Sequence, residues 1–212
     1  MSEISTKTSA SSRRAMITKL TSTAILTAMA FVLMYLEFNL PFMPPFLKFD
    51  FSEVPVLVGS FAIGPVYGIL IELLKNLLHL PFTGTAGIGE MSNFITGSIY
   101  VFSAGWIYGK HRSRKGAVAS MAIATLVLGL IACPFNFFIT LPLYGSVLNF
   151  PIEAIIGMSA AVNSMIKTKM DLILWGFLPF NLFKGIVVAF ITFWIYKPIS
   201  NLIHRIYSNT RS

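Results

Sequence analysis

Chemical equipment is scarce in this chain. The single cysteine, Cys133, excludes a disulfide within the chain and any thiol-rich metal site. Beside Pro134 in an apolar run, it reads as a small packing residue. His79, His111 and His204 are scattered, and no His-x-x-x-His or paired cysteines supply metal-ligand spacing. Residues 84–89 are glycine-rich but lack the Gly-Lys-Ser/Thr ending of a phosphate loop. Without a nucleophile–base pair or a metal set, an intramembrane enzyme is disfavoured and no cofactor is expected. Charge is scarce too: 11% of residues are charged, against about 25% in soluble domains.

What fills the chain instead is hydrocarbon. Of 212 residues, 55% are hydrophobic, and the mean hydropathy is +0.75. The composition therefore predicts an all-α integral membrane protein. Apolar runs of membrane length occupy residues 16–36, 89–108, 117–141 and 172–196. A further run, 54–80, is too long for one comfortable span and is interrupted by Gly64-Pro65. The basic residues decide how to count it. Eleven of the 16 lie in three groups: Lys7, Arg13, Arg14 and Lys19; Lys110, Arg112, Arg114 and Lys115; Lys197, Arg205 and Arg211. These mark cytoplasmic flanks by the positive-inside rule. They lack the interleaved aromatics of a nucleic-acid site, so the net charge of +8 is not read as one.

With the N-terminus and the 110–115 loop both inside, the crossings between them are even in number. Gly64-Pro65 then becomes a tight cytoplasmic turn, giving a bundle of six transmembrane helices with both termini cytoplasmic. Residues 1–14 are expected to be a disordered, Ser/Thr-rich cytoplasmic N-terminus rather than a cleavable signal, 15–200 the membrane domain, and 201–212 a cytoplasmic tail. Segments 37–52, 81–88 and 142–171 fall outside. The first contains Leu40-Pro41-Phe42-Met43-Pro44-Pro45-Phe46-Leu47, which cannot be a regular helix and reads as a lid over a cavity. A short surface helix is expected near 153–165.

Polar groups within such a chain mark function by default. Glu72, Lys75, Asn76 and His79 recur on one side of a helix, where Glu72 and Lys75 can pair and His79 can sit at the outer interface. Asn76 offers both donors and acceptors to a ligand. Asn181 and Lys184 share a face in mid-run, where a lysine cannot snorkel; Gly185 leaves room beside them, and Pro179 can open a kink. Asp50, Ser52 and Glu53 bracket a helix start, as cap and acidic first turn, as ligand contacts, or as both. Asn93, Asn136 and Asn149 add amides near the outer half, and Phe46, Phe49 and Phe51 cluster in the lid. On the first helix, Ala24 and Ala28 form a small-xxx-small face, for packing within the bundle or against a partner helix.

Several of these segments together resemble the substrate-binding S components of energy-coupling factor (ECF) vitamin transporters, and among them the riboflavin-specific type. They are Phe46-Leu47-Lys48-Phe49-Asp50-Phe51-Ser52-Glu53-Val54-Pro55, Leu74-Lys75-Asn76-Leu77-Leu78, Leu141-Pro142-Leu143-Tyr144-Gly145 and Pro179-Phe180-Asn181-Leu182-Phe183-Lys184-Gly185. The resemblance implies a six-helix bundle in the cell membrane. It would bind riboflavin from outside and work with a membrane T component and two ATP-binding subunits. It also implies substrate contacts from the first outer loop with Asp50 and Glu53, from Asn149, and from Asn181 and Lys184, and a T-component contact at Ala24 and Ala28. An S component for another vitamin remains an alternative. So does a stand-alone carrier of a planar solute, although no half-to-half repeat supports it.

Overall fold

In the computed structural model, residues 2–209 are described, with side chains described for residues 13–199 and Asn201. The helices α1 (Ser2–Tyr35), α2 (Glu53–Ala62), α3 (Pro65–His79), α4 (Ile88–Lys110), α5 (Arg114–Phe135) and α9 (Leu178–Asn209) form one bundle. Shorter helices α6 (Leu141–Val147), α7 (Ile152–Val162) and α8 (Lys169–Leu172) connect α5 to α9. The lid carries a two-residue antiparallel ribbon, β1 (Phe38–Asn39) with β2 (Lys48–Phe49), an addition to the all-helical expectation. An ion pair between Lys48 and Glu37 ties the ribbon's ends.

Three helical stretches are long and apolar enough to cross a membrane: Arg13–Tyr35, Arg114–Val147 and Lys169–Ile199. α4 is long enough, but it places Glu90, Asn93, Ser92 and Thr96 toward the interior. Helices α2 and α3, with 10 and 15 residues, are about 15 and 22 Å long, short of a hydrocarbon core of about 30 Å. They are the two arms of a broken hairpin. Gly64 sits at φ 133°, a conformation L side chains rarely adopt, and Pro65 then starts α3 where its missing N–H is harmless. Helix α2 touches α1, α3, α4 and α9 and is buried from Glu53 through Phe61, so it is the axis of the bundle.

The termini differ from expectation. α1 is helical from Ser2, and α9 continues past residue 200 to Asn209, because extending an existing helix needs only one new hydrogen bond per residue. Met1 and residues 210–212 of the expected terminal segments lie outside the described residues, as do the side chains of Lys7, Arg205 and Arg211. The surface helix predicted near 153–165 forms as α7, Ile152–Val162.

Two wide turns interrupt the long outer helices. At Asn136–Thr140 and at Ile173–Phe177 the backbone is π-helical: Leu141 N–H bonds Asn136 C=O, and Leu178 N–H bonds Ile173 C=O. Each turn is followed by Leu-Pro, and the two touch one another. A proline lacks the donor that would close a regular turn behind it, and a π turn absorbs the mismatch.

Two apolar clusters result. One, built on Leu57, Ile71, Val101, Met121 and Val188, fills the lower bundle. The other, built on Leu47, Phe49, Leu141, Ile166, Phe177 and Phe180, lies beneath the lid. Leu130 (73% exposed) and Trp194 (66% exposed) point outward, as lipid-facing residues do.

Candidate binding cavity

Between the two clusters lies a cavity of about 360 Å³. Gly89, Glu90, Ser92, Asn93, Thr96, Gly97 and Tyr100 of α4 line it, so it runs about 15 Å along that helix at 1.5 Å per residue. Opposite stand Phe177, Phe180, Asn181, Lys184 and Gly185, with Phe46, Leu47 and Asp50 of the lid above.

Its inner end is held by a network of buried charges. Lys184 Nζ donates to Asp50 Oδ2 at 3.1 Å and to Asn93 Oδ1 at 3.4 Å, and lies 4.0 Å from Glu53 Oε1. Lys75 is completely enclosed: it donates to Ser52 Oγ (2.7 Å) and Glu53 Oε1 (2.7 Å) and forms an ion pair with Glu72 Oε2 (3.0 Å). Held between two carboxylates and shut off from the cavity, Lys75 is a structural cation. Asn76 donates to Glu72 C=O (2.8 Å) and Glu72 Oε1 (3.0 Å) and accepts from Asn93 (3.4 Å), so its amide is spent within the network. Although burial alone would raise it, the ammonium groups of Lys184 and Lys75 and the bond from Ser52 hold the Asp50 carboxyl below its usual range.

The backbone is cut to fit these charges. A Cβ at Gly97 would lie 2.5 Å from Glu72 Oε1 and 3.0 Å from Glu53 Oε1, so only glycine lets α4 pass over both carboxylates. Ser52 does not cap α2 with its side chain: Asp50 Oδ1 takes the Ser52 N–H at 2.7 Å, which frees the hydroxyl for Lys75.

The outer end carries a second group. His79 Nδ1 lies 2.9 Å from Glu90 Oε1, while Thr83 Oγ1 donates to Glu90 Oε2 at 2.7 Å. Both His79 and Glu90 are buried and line the cavity. His79 is thus an interior residue, not the interfacial one its place near the helix end suggested. Between the ends, Ser92, Asn136 and Thr140 form a hydroxyl and amide strip along one wall.

Of the residues singled out in the sequence, Asp50, Glu53, Asn181, Lys184 and Phe46 line the cavity together. Asn76 stands behind Asn93. Phe49 is buried among Phe38, Phe51 and Phe183, with centroids 5.2–5.7 Å away, so it supports the lid from behind. Asn149 is exposed, at φ 50°, a left-handed conformation that asparagine tolerates. Ala24 and Ala28 are exposed on α1, whose other side packs on α2 and α3. Cys133 is half-buried against the outer cluster. Glu90, Tyr100 and Tyr144 were not foreseen as cavity residues; only the glycine–threonine richness of 83–89 beside an acidic residue hinted at Glu90.

Residues 18–196 match the family described as ECF transporter, substrate-specific component. The riboflavin transporter RibU of Staphylococcus aureus (strain TCH60) is 36% identical over 188 residues, covering 89% of this chain and 93% of that protein. The riboflavin transporter FmnP of Bacillus subtilis (strain 168) is 34% identical over 82% of this chain and 87% of its own length. A solved structure of the S component of a bacterial ECF transporter superposes with a TM-score of 0.69 at 34% identity, covering 87% of this chain and 96% of that one.

Proposed function

The chain belongs to the substrate-specific components of ECF transporters, and on that premise we propose that its cavity captures riboflavin from outside the cell membrane for import. The family supplies the recognition part of a transporter and is not an enzyme. One observation carries the choice of ligand: Phe180, Asn181 and Lys184 of α9 and Phe177 of the π turn just before it all face one cavity. An isoalloxazine ring has a flat apolar body and a polar imide edge, which suit aromatic walls and amide or ammonium partners in turn. Riboflavin is neutral, so Lys184 acts as a hydrogen-bond donor to it while Asp50 keeps the ammonium compensated. Asp50 and Glu53 take part from the lid side, and Asn149 joins only if the α6–α7 connection folds inward over the ligand. The names of the two similar transporters support the same ligand.

The surroundings follow from the same reading. Six crossings with both termini inside put the lid and the α3–α4 connection on the outer face. A membrane T component meets the exposed Ala24 and Ala28 face, and two ATP-binding subunits supply energy. The protein purified from cells grown with riboflavin is expected to be yellow, with a flavin absorption spectrum and quenched flavin fluorescence. A colourless preparation that also fails to quench added riboflavin removes the proposal.

A further inference from the structure

The cavity wall is acidic. Glu37, Asp50, Glu53 and Glu90 line it against only two lysines, Lys48 and Lys184. Those lysines are already engaged, Lys48 by Glu37 and Lys184 by Asp50. Such a site disfavours an anionic ligand, and the acid at its outer end has a particular position.

Glu90 lies in the first turn of α4, where the backbone N–H groups of Gly87 and Gly89 are taken by the hydroxyls of Thr83 and Thr85, so neither is left free for an anion. The Glu90 carboxylate stands beside these hydroxyls and lines the cavity. It is fixed from two sides, by His79 at Oε1 and by Thr83 at Oε2, so it cannot swing away from an incoming group. Resting on the riboflavin reading above, the orientation of the ligand follows from the walls. Asn181 and Lys184 take the polar edge of the ring at the inner end and Phe180 and Phe177, beneath the lid, its apolar body, which leaves the hydroxylated tail to run past Ser92 and Thr140 toward Thr85 and Glu90. A phosphate monoester at the end of that tail, as in FMN, would carry about −1.5 to −2 charges at neutral pH to a buried carboxylate.

We propose that Glu90 is the specificity-determining residue that sets the preference for the free vitamin over phosphorylated flavin. Like charges brought together in an enclosed site repel strongly, whereas an alcohol at the same place can donate a hydrogen bond to the carboxylate.

The test is a pair of fluorescence-quenching titrations, riboflavin and FMN, on purified wild type, Glu90→Gln and Gly84→Lys. Wild type is expected to bind riboflavin more tightly than FMN. Glu90→Gln keeps the shape and removes the charge, and should narrow the gap by about tenfold, mainly through tighter FMN binding. Gly84 is exposed at the cavity rim, and a side chain there meets nothing within 4 Å, so Gly84→Lys should fold normally. Its ammonium should offset the carboxylate of Glu90 at the cavity mouth and narrow the riboflavin-to-FMN ratio through tighter FMN binding, which keeps the test decisive if Glu90→Gln does not fold. Equal wild-type affinities for the two flavins, an unchanged ratio in a folded Glu90→Gln, or a Gly84→Lys variant without gain for FMN each overturn the assignment. Wild type that binds neither flavin instead overturns the riboflavin reading on which it rests.

Discussion

Lys184 serves two masters, and separating them is the sharpest question at the scale of single residues. It donates to Asp50 and Asn93 within the protein and faces the cavity at the same time. Lys184→Ala is expected to weaken riboflavin binding by about 1 to 3 kcal/mol through lost hydrogen bonding. It should also lower the melting temperature, because Asp50 is left as a buried carboxylate without its nearest cation. Adding Asp50→Asn to that variant should restore the melting temperature without restoring affinity. If the double variant regains wild-type affinity, Lys184 acts only as the counter-ion of Asp50. At this scale the sequence was informative where a residue type is costly in hydrocarbon: Asp50, Glu53, Asn181 and Lys184 stood out and converge on one cavity. It was less informative about which polar groups are spent on each other. The three-residue spacing of Glu72 and Lys75 predicted their pairing, but that Lys75 also takes Ser52 and Glu53 depends on a contact between α2 and α3 that no local pattern encodes.

Among the elements, α1 makes the clearest claim. Leu26, Thr27 and Ala30 turn inward, while Ala24, Ala28 and Val32 face out, so the small side chains of Ala24 and Ala28 are not used to bring α1 close to its own bundle. Ala28→Trp is therefore expected to leave riboflavin titrations and the melting curve unchanged. Uptake into cells should fall, and the membrane and ATP-binding partners should no longer co-purify. Loss of ligand binding together with uptake would mean that Ala28 packs within the fold. Helix limits were legible where the chain carries punctuation: Gly64-Pro65 broke the hairpin as read, and α4, α5 and α7 begin within a few residues of expectation. The π turns were not, apart from the kink suspected at Pro179, since a surplus residue inside an apolar helix changes neither composition nor periodicity enough to be seen.

At the scale of the whole molecule, charge distribution sets orientation. Lys110, Arg112, Arg114 and Lys115 gather at the α4–α5 junction, at the opposite end of α4 from Glu90, so the proposed topology puts the cavity mouth and this basic corner on opposite sides of the membrane. In a Cys133→Ala background, a membrane-impermeant thiol reagent on intact cells should label Gly84→Cys and spare Ser113→Cys, both at exposed positions. The reverse pattern would overturn the proposed orientation. The bundle's outline was readable from hydropathy and charge, whereas the cavity was not, because it exists only where the upper and lower apolar clusters fail to meet. The paired π turns bear on that gap in an angular sense. Each inserts a surplus residue, and one residue of helix corresponds to about 100° of rotation. Asn181 and Lys184 follow the second turn directly, so their bearing on the cavity is a phase angle set upstream. Shortening this turn by one residue ahead of Phe177 would leave every cavity side chain in the chain, yet swing this pair out of the cavity toward its neighbours or the lipid.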